Sequence, residues 1–74
     1  MNEKTQEFKI QKFGWWIGIL TSKPDYIYYF GVFDSYREAE RYKSDYIQDL
    51  KEEKAKIIDI QIKQCQPKQL TIPL

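Results

Sequence analysis

The fold of this 74-residue chain is decided by residues 14–33, which read GWWIGILTSKPDYIYYFGVF. Two runs in it, residues 14–21 and 26–33, are rich in aromatic and β-branched side chains and are too short for a helix of typical length. Four turn-forming residues, Ser22 to Asp25, separate the two runs. The stretch therefore predicts a β-hairpin, and Gly31 indicates a bulge or a close backbone approach near its end.

A helix start follows the hairpin. Ser35 and Glu38 have the spacing of a capping box, in which the serine side chain accepts from the Glu38 amide while the glutamate reaches back to the Ser35 amide. Apolar residues then recur at three- and four-residue steps, which is the spacing of one helical face. They are Ala39, Tyr42, Tyr46 and Leu50, with Ile47 alongside. One amphipathic helix is expected to run from this cap to about Lys54.

Residues 56–65 alternate between apolar and polar side chains, as in a strand with one wet face. The apolar positions are Ile58, Ile60 and Ile62, and the polar ones are Asp59, Gln61 and Lys63. A right-handed crossover places this strand beside the first, antiparallel to it. The prediction is an α+β fold of ββαβ order: a three-stranded antiparallel sheet of order 2-1-3 with one helix packed on one face.

The length predicts a single domain over residues 1–74, burying only ~60% of the surface that its unfolded chain exposes. Its core is expected at about residues 13–65. The ends, residues 1–12 and 66–74, are expected to dock on this core or to be flexible. Two prolines limit residues 66–74 to a short extension or edge segment.

Composition argues against catalysis. The chain has no histidine, and Cys65 is its one cysteine, so histidine-based zinc sites, internal disulfides and a cysteine nucleophile with an imidazole base are excluded. Carboxylates on the wet side of the helix are typical of a solvated face, and the glycines form no phosphate-binding motif. We expect a non-enzymatic protein with no catalytic residue, metal or cofactor.

Charge and hydropathy limit the classes of partner that the chain can bind. Twelve basic and eleven acidic residues are spread evenly, so no basic stripe favours nucleic acid. The longest apolar run, Trp15 to Leu20, is far below the ~20 residues of a membrane span. The N-terminus lacks an apolar signal core. A cytoplasmic protein with no membrane span is expected, in which Cys65 stays a thiol.

Both faces of the predicted hairpin are apolar, yet one helix covers only one face. The face with Gly18 is assigned to the helix, because the missing side chain lets Ala39 approach, and Phe33 is expected to turn inward after Gly31; the opposite assignment stays open. The helix-side set is Trp16, Gly18, Leu20, Tyr28 and Phe30. The predicted partner-binding set on the far side is Trp15, Ile17, Ile19, Ile27 and Tyr29.

Each large apolar side chain left in water costs about 1.5 to 3 kcal/mol relative to burial, so the far face needs a cover. Three covers are open: the ends of the chain, a second copy that makes a homodimer, or a protein partner. The ends supply Phe8, Ile10 and Phe13 on one side and Leu70, Ile72 and Leu74 on the other. Tyr and Trp are enriched at binding hot spots, which favours an interaction face. Replacing Ile17 and Ile19 with Ser is expected to abolish association and leave the fold intact.

Several short motifs resemble, in their order, a family of small cyanobacterial proteins built on one domain of unknown function. They are Trp15-Trp16-Ile17, Tyr28-Tyr29-Phe30-Gly31-Val32-Phe33, Glu38-Ala39, Asp49-Leu50 and Pro67-x-x-Leu70-Thr71-Ile72. The resemblance covers the chain from about residue 13 onward. Family members usually carry Pro at the position of Val32 and Gly at that of Lys54. The resemblance implies a cyanobacterial cytoplasmic protein and no particular activity.

Two fold-level analogies supply alternatives. Residues 29–42 are similar to the plant AP2-type DNA-binding domain, whose three-stranded sheet enters the major groove. That domain carries arginines on its DNA-facing strands, whereas the first two strands here have none. Small sheet-plus-helix modules also occur in phycobilisome linker proteins, which suggests an assembly role. The reading preferred over both is an interaction module that binds a protein partner or itself.

Overall fold

A computed structural model describes residues 11–74, in which four strands and one helix follow one another as β1, β2, α1, β3 and β4. Their bounds are β1 Gly14–Ser22, β2 Tyr26–Phe33, α1 Tyr36–Glu52, β3 Lys56–Cys65 and β4 Thr71–Pro73. The strands form one antiparallel sheet of order β3-β1-β2-β4. Within residues 11–74 the α+β class, a helix after the hairpin and an antiparallel sheet are confirmed. The predicted three-stranded sheet of order 2-1-3 was wrong in its details: β1 does lie between β2 and β3, but β4 adds a fourth strand outside β2 and makes the order 3-1-2-4.

The fourth strand is built from the proline-containing tail. It pairs with the first half of β2, where Ile72 lies opposite Ile27. The Tyr29 amide donates to the Leu70 carbonyl (2.8 Å), and the Leu74 amide donates to the Asp25 carbonyl (3.0 Å). Proline is tolerated on an edge strand, because that strand need not donate on its outer side. The tail thus extends the sheet sideways and does not fold across its face.

The N-terminal end of α1 has the predicted cap with one altered contact. The Glu38 amide donates to Ser35 Oγ (3.1 Å), as expected of an N-cap serine. Glu38 Oε1, however, accepts from the amide of Asp34 (2.8 Å), so the predicted return contact to the Ser35 amide was wrong. The glutamate reaches one residue further back and ties the end of β2 to the helix.

The C-terminal end of α1 closes in a Schellman motif. The Ala55 amide donates to the Leu50 carbonyl (3.0 Å) and the Lys54 amide to the Lys51 carbonyl (2.9 Å). Lys54 adopts a left-handed backbone with φ of 66° to make this turn. Ala55 then packs against the core, which directs the chain into β3.

The core lies between α1 and one face of the sheet. Ile17 and Ile19 are 0% exposed and pack with Ala39, Leu50 and Phe33. In β3, Ile62 and Ile60 lie opposite these two isoleucines, and in β2 the opposite residues are Phe30 and Tyr28. Directly paired residues of antiparallel strands share a face. The face that carries Ile17 and Ile19 is therefore the helix face.

The predicted assignment of the hairpin faces to the helix was thus wrong for β1. Its physical reason is the register of the hairpin, in which the four-residue connection pairs Thr21 with Tyr26. This pairing places odd-numbered residues of β1 beside even-numbered residues of β2. Tyr28 and Phe30 do pack on the helix side as expected, but they bring Ile19 and Ile17 with them.

A bulge ends the pairing of the hairpin. Trp16 lies opposite Gly31 and Trp15 opposite Phe33, so Val32 is the extra residue. Its preceding peptide bond, Gly31–Val32, is cis. The bulge returns Phe33 to the helix face, where its side chain is buried. The predicted bulge at Gly31 and the inward turn of Phe33 are confirmed.

Candidate interaction surface

The side of the sheet away from α1, here called the open face, carries every second residue of the strands. Alternation along each strand and the register across strands identify the residues at its centre. They are Trp16, Gly18 and Leu20 from β1, Ile27 and Tyr29 from β2, Asp59, Gln61 and Lys63 from β3, and Ile72 from β4. The open face is therefore apolar across its middle and polar along β3.

A shallow groove of about 200 Å³ crosses the middle of this face. Its lining consists of Gly18, Leu20, Ile27, Tyr29, Asp59, Gln61 and Lys63. Gly18 contributes no side chain, and the Tyr29 ring lies close to its backbone: a Cβ built on Gly18 would lie 3.3 Å from Cε1 of that ring. Leu20, Ile27 and Tyr29 make an apolar wall on one side, and the polar side chains of β3 make the other. The groove thus offers apolar contact and hydrogen bonding together.

One end of the open face is closed by the chain itself. The Trp16 side chain is only 2% exposed, and its Nε1 donates to the Lys12 carbonyl (3.0 Å). Its ring lies directly on Gly31, since a Cβ at that position would approach Trp16 Cε3 to 2.8 Å. Gln66 Nε2 also donates to the Gln11 carbonyl (3.0 Å), which ties the residues before β1 to the tail. Trp16 is accordingly a structural residue.

The five predicted partner-binding residues are divided between the two faces. Ile17 and Ile19 lie in the core, and Trp15 packs partly buried on the helix face. The edge of the Trp15 ring meets Tyr36 with 5.8 Å between ring centroids and 85° between ring planes. Ile27 and Tyr29 line the groove on the open face. The structure therefore brings together two of the five and places the other three on the opposite side of the sheet.

Sequence reasoning missed Gly18 and Leu20 as groove residues, and it missed the polar groove residues contributed by β3. The signal was present in β3, whose wet and dry sides differ clearly. Extending its dry side through the β1–β3 pairing identifies Ile17 and Ile19 as core and leaves Leu20 on the other face.

The chain ends that were considered as covers have different positions. Phe8 and Ile10 lie outside the described residues. Phe13 is 63% exposed, and Leu70 and Leu74 are also exposed. Ile72 lies half-buried beside Ile27 at the margin of the open face. Within residues 11–74 the tail widens the apolar strip rather than sealing it.

Titratable and metal-binding chemistry is sparse around the groove. In residues 11–74 no three His, Cys, Asp or Glu side chains gather where they could hold a metal ion. Cys65 is a half-buried free thiol. The pKa of Tyr28, on the helix face, is raised above its ordinary value by desolvation, with Glu53 and Tyr26 adding to the shift. The described helix lacks the length and apolarity to cross a bilayer.

Fold and surface together define a small α+β domain with a helix on one side of a four-stranded sheet and a mixed apolar and polar face on the other. Residues 8–72 match the family described as a domain of unknown function, DUF1816, and the chain belongs to that family. The expected membership in a small family of unknown function is confirmed. No curated protein and no solved structure matches the chain.

Proposed function

We propose that this domain is a non-enzymatic interaction module that binds another protein through the groove on the open face. The observation that carries the proposal is the composition of that groove. Leu20, Ile27 and Tyr29 present half-buried apolar surface to solvent beside a row of polar side chains on β3. An apolar centre with a polar rim is the usual anatomy of a protein interface.

The dimensions of the groove favour a protein ligand over a small molecule. Its volume of about 200 Å³ is below the roughly 300 to 1,000 Å³ of small-molecule sites. It has room for one or two protruding apolar side chains of a partner. Tyr29 supplies a large, rigid wall of the kind found at binding hot spots. Gln61, Asp59 and Lys63, which line the groove from β3, give the partner polar contacts that fix its orientation.

The occupant proposed for the groove is a different protein rather than a second copy. A second copy presenting the same face about a two-fold axis would set groove against groove, and neither groove would be filled. A convex apolar projection fits better, flanked by a polar group for Asp59 and one for Lys63. Assembly into a larger complex, as in linker proteins, is compatible with this mode. Cyanobacterial origin and cytoplasmic location stay predictions.

DNA binding through the sheet has less support. The groove is lined by one Asp and one Lys, whose charges cancel. The chain's two arginines, Arg37 and Arg41, belong to α1 in the opposite layer. Affinity for duplex DNA at low salt, falling steeply as salt rises, would favour the AP2-like alternative instead.

A matched pair of variants tests the proposal. Ile27→Thr makes the groove wall polar and keeps a β-branched residue, whereas Val32→Thr makes the same kind of change in the same strand at an exposed site outside the groove. Both variants should remain folded by circular dichroism. Candidate partners captured from native extract are then purified, and their affinities for the wild type and each variant are measured.

We expect a purified partner to bind the wild type and Val32→Thr alike and Ile27→Thr at least about tenfold more weakly, as for a residue at an interface centre. Amide shifts on titration should be centred on Gly18 and Tyr29. The proposal is wrong if every direct partner binds both variants equally.

A further inference from the structure

The two edges of the sheet differ in how they are protected. β4 spans three residues and includes Pro73, whose nitrogen has no proton to donate. β3 spans ten residues, contains neither proline nor glycine, and is not paired on its outer side by any strand in residues 11–74. Long open edges offer a row of backbone donors and acceptors to another strand. Ile58, at a bulge near the start of β3, is also 53% exposed.

The residues of β3 are complementary to the same strand running in the opposite direction. We propose that two copies of this chain join by antiparallel pairing of their β3 strands, centred on Gln61. Asp59 then lies opposite Lys63 of the second copy, and the two-fold symmetry repeats this pair. On the helix side Ile60 lies opposite Ile62 of the second copy, again twice. Opposite charges and paired apolar side chains both stabilise directly facing strand positions.

Neighbouring registers lack this match. Residues that lie opposite each other across a two-fold axis perpendicular to the sheet must point to the same face. The axis therefore passes through a residue of β3, and the nearest alternative registers are centred on Ile60 and on Ile62. Centring on Ile60 places Asp59 opposite Gln61, and centring on Ile62 places Asp59 opposite Cys65. Each shift removes both charge pairs. Residues 59–63 lie beyond the bulge at Ile58, in the regularly paired part of β3, so the proposed register uses undistorted strand.

This pairing makes a continuous eight-stranded sheet from two four-stranded ones. Both helices lie on one side and both open faces on the other, so the two grooves are displayed side by side. Pairing at this edge of the sheet does not depend on any occupant of the groove. Ile27→Thr should therefore still dimerise.

Charge reversal in the purified full chain tests the register. We measure sedimentation velocity over a concentration series up to the millimolar range for the wild type, Asp59→Lys, Lys63→Asp and an equimolar mixture of these two variants. Asp59 and Lys63 are exposed, so both variants should fold. Each single variant faces like charges at two positions and should dimerise at least about tenfold more weakly than the wild type. The mixture should recover wild-type affinity, because at both positions a lysine of the Asp59→Lys variant then faces an aspartate of the Lys63→Asp variant.

Controls with the same change in net charge are Asp45→Lys and Lys51→Asp on exposed positions of α1, and both should dimerise like the wild type. Hydrogen exchange should show concentration-dependent protection of β3 amides. A wild type that stays monomeric, as it would if this edge receives a strand from another protein, overturns the proposal. A dimer that both reversals leave unchanged, or that the mixture fails to restore, also overturns it.

Discussion

The two faces of the sheet are built from the same strands and differ by one residue along the chain. On the helix face, Ile19 lies between Ile60 and Tyr28 and is completely buried. On the open face, its neighbour Leu20 lies between Asp59 and Ile27 and is only partly buried. β1 itself is apolar on both sides, so its composition does not distinguish them. The alternation of β3 does, because it places isoleucines on one face and polar groups on the other.

The largest expected effect comes from placing serine at one or the other of these two adjacent positions. Ile19→Ser removes a fully buried side chain and should cost about 2 to 5 kcal/mol, comparable with the ~3 to 5 kcal/mol that a core of this size supplies. Leu20→Ser should cost about 1 kcal/mol, because that side chain is only half-buried. Urea denaturation followed by tryptophan fluorescence measures both.

Because Ile17 and Ile19 are fully buried, we no longer expect that serine at both positions would leave the fold intact. Equal destabilisation by Ile19→Ser and Leu20→Ser would contradict the burial difference between the faces.

A second prediction concerns the closed end of the open face. A Cβ at Gly31 would lie 2.8 Å from Trp16 Cε3 and 3.0 Å from the Trp15 carbonyl oxygen, and the second contact is with backbone. Gly31→Ala should therefore destabilise the fold by about 1 to 3 kcal/mol, as overpacking does. Gly18→Ala is the control, since its Cβ would meet only the Tyr29 ring at 3.3 Å and that ring can shift. Thermal unfolding of both variants should show the larger loss at Gly31; equal losses would mean that Trp16 is not clamped there.

The sequence predicted the elements better than the faces. The bounds of the second and third strands and the N-cap Ser35 follow from composition, alternation and capping, which act over a few residues. The side that Ile17 takes depends on pairing with Ile62, about forty-five residues away, and local pattern does not contain it. Register could have been read from the hairpin, because a four-residue connection pairs Thr21 with Tyr26.

The fourth strand was recognised only as an edge segment, since its prolines conceal a strand pattern. The groove was missed because it depends on which face is open. Ile27 and Tyr29 were nevertheless placed on the open face, where they line the groove.

A third prediction concerns a substitution at the C-terminal end of α1 that leaves both faces of the sheet unchanged. Lys54 holds a left-handed backbone at the C-terminal end of α1, which costs a residue with a Cβ roughly 1 to 2 kcal/mol. Lys54→Gly relieves that cost but gains flexibility in the unfolded chain, so a net stabilisation of about 1 kcal/mol is expected. Lys51→Gly, in the last helical turn, should instead destabilise by about 1 kcal/mol. A rise in the urea midpoint for Lys54→Gly checks this, and a fall would contradict it.

The smallest expected effect is a pH dependence of the free energy of unfolding that arises from Tyr28 on the helix face. Desolvation raises the pKa of Tyr28 above 10.0, its value in the unfolded chain, and Glu53 and Tyr26 add to the rise. The unfolded state therefore loses this proton first as pH rises. The contribution of Tyr28 to stability is complete below about pH 10 and is lost as pH rises through the raised pKa. Tyr28→Phe keeps the ring and removes the proton, so its free energy of unfolding should fall less than that of the wild type between about pH 9 and 11.

Tyr36→Phe serves as the reference for removing an exposed hydroxyl. Urea titrations of the three proteins at each pH give the slopes. Parallel slopes for Tyr28→Phe and the wild type would show that the helix face does not desolvate Tyr28. A shallower fall in the free energy of unfolding with pH for Tyr28→Phe alone would show that the Tyr28 hydroxyl is desolvated on the helix face. Titration would then support the same difference between the two faces that the Ile19 and Leu20 variants test through packing.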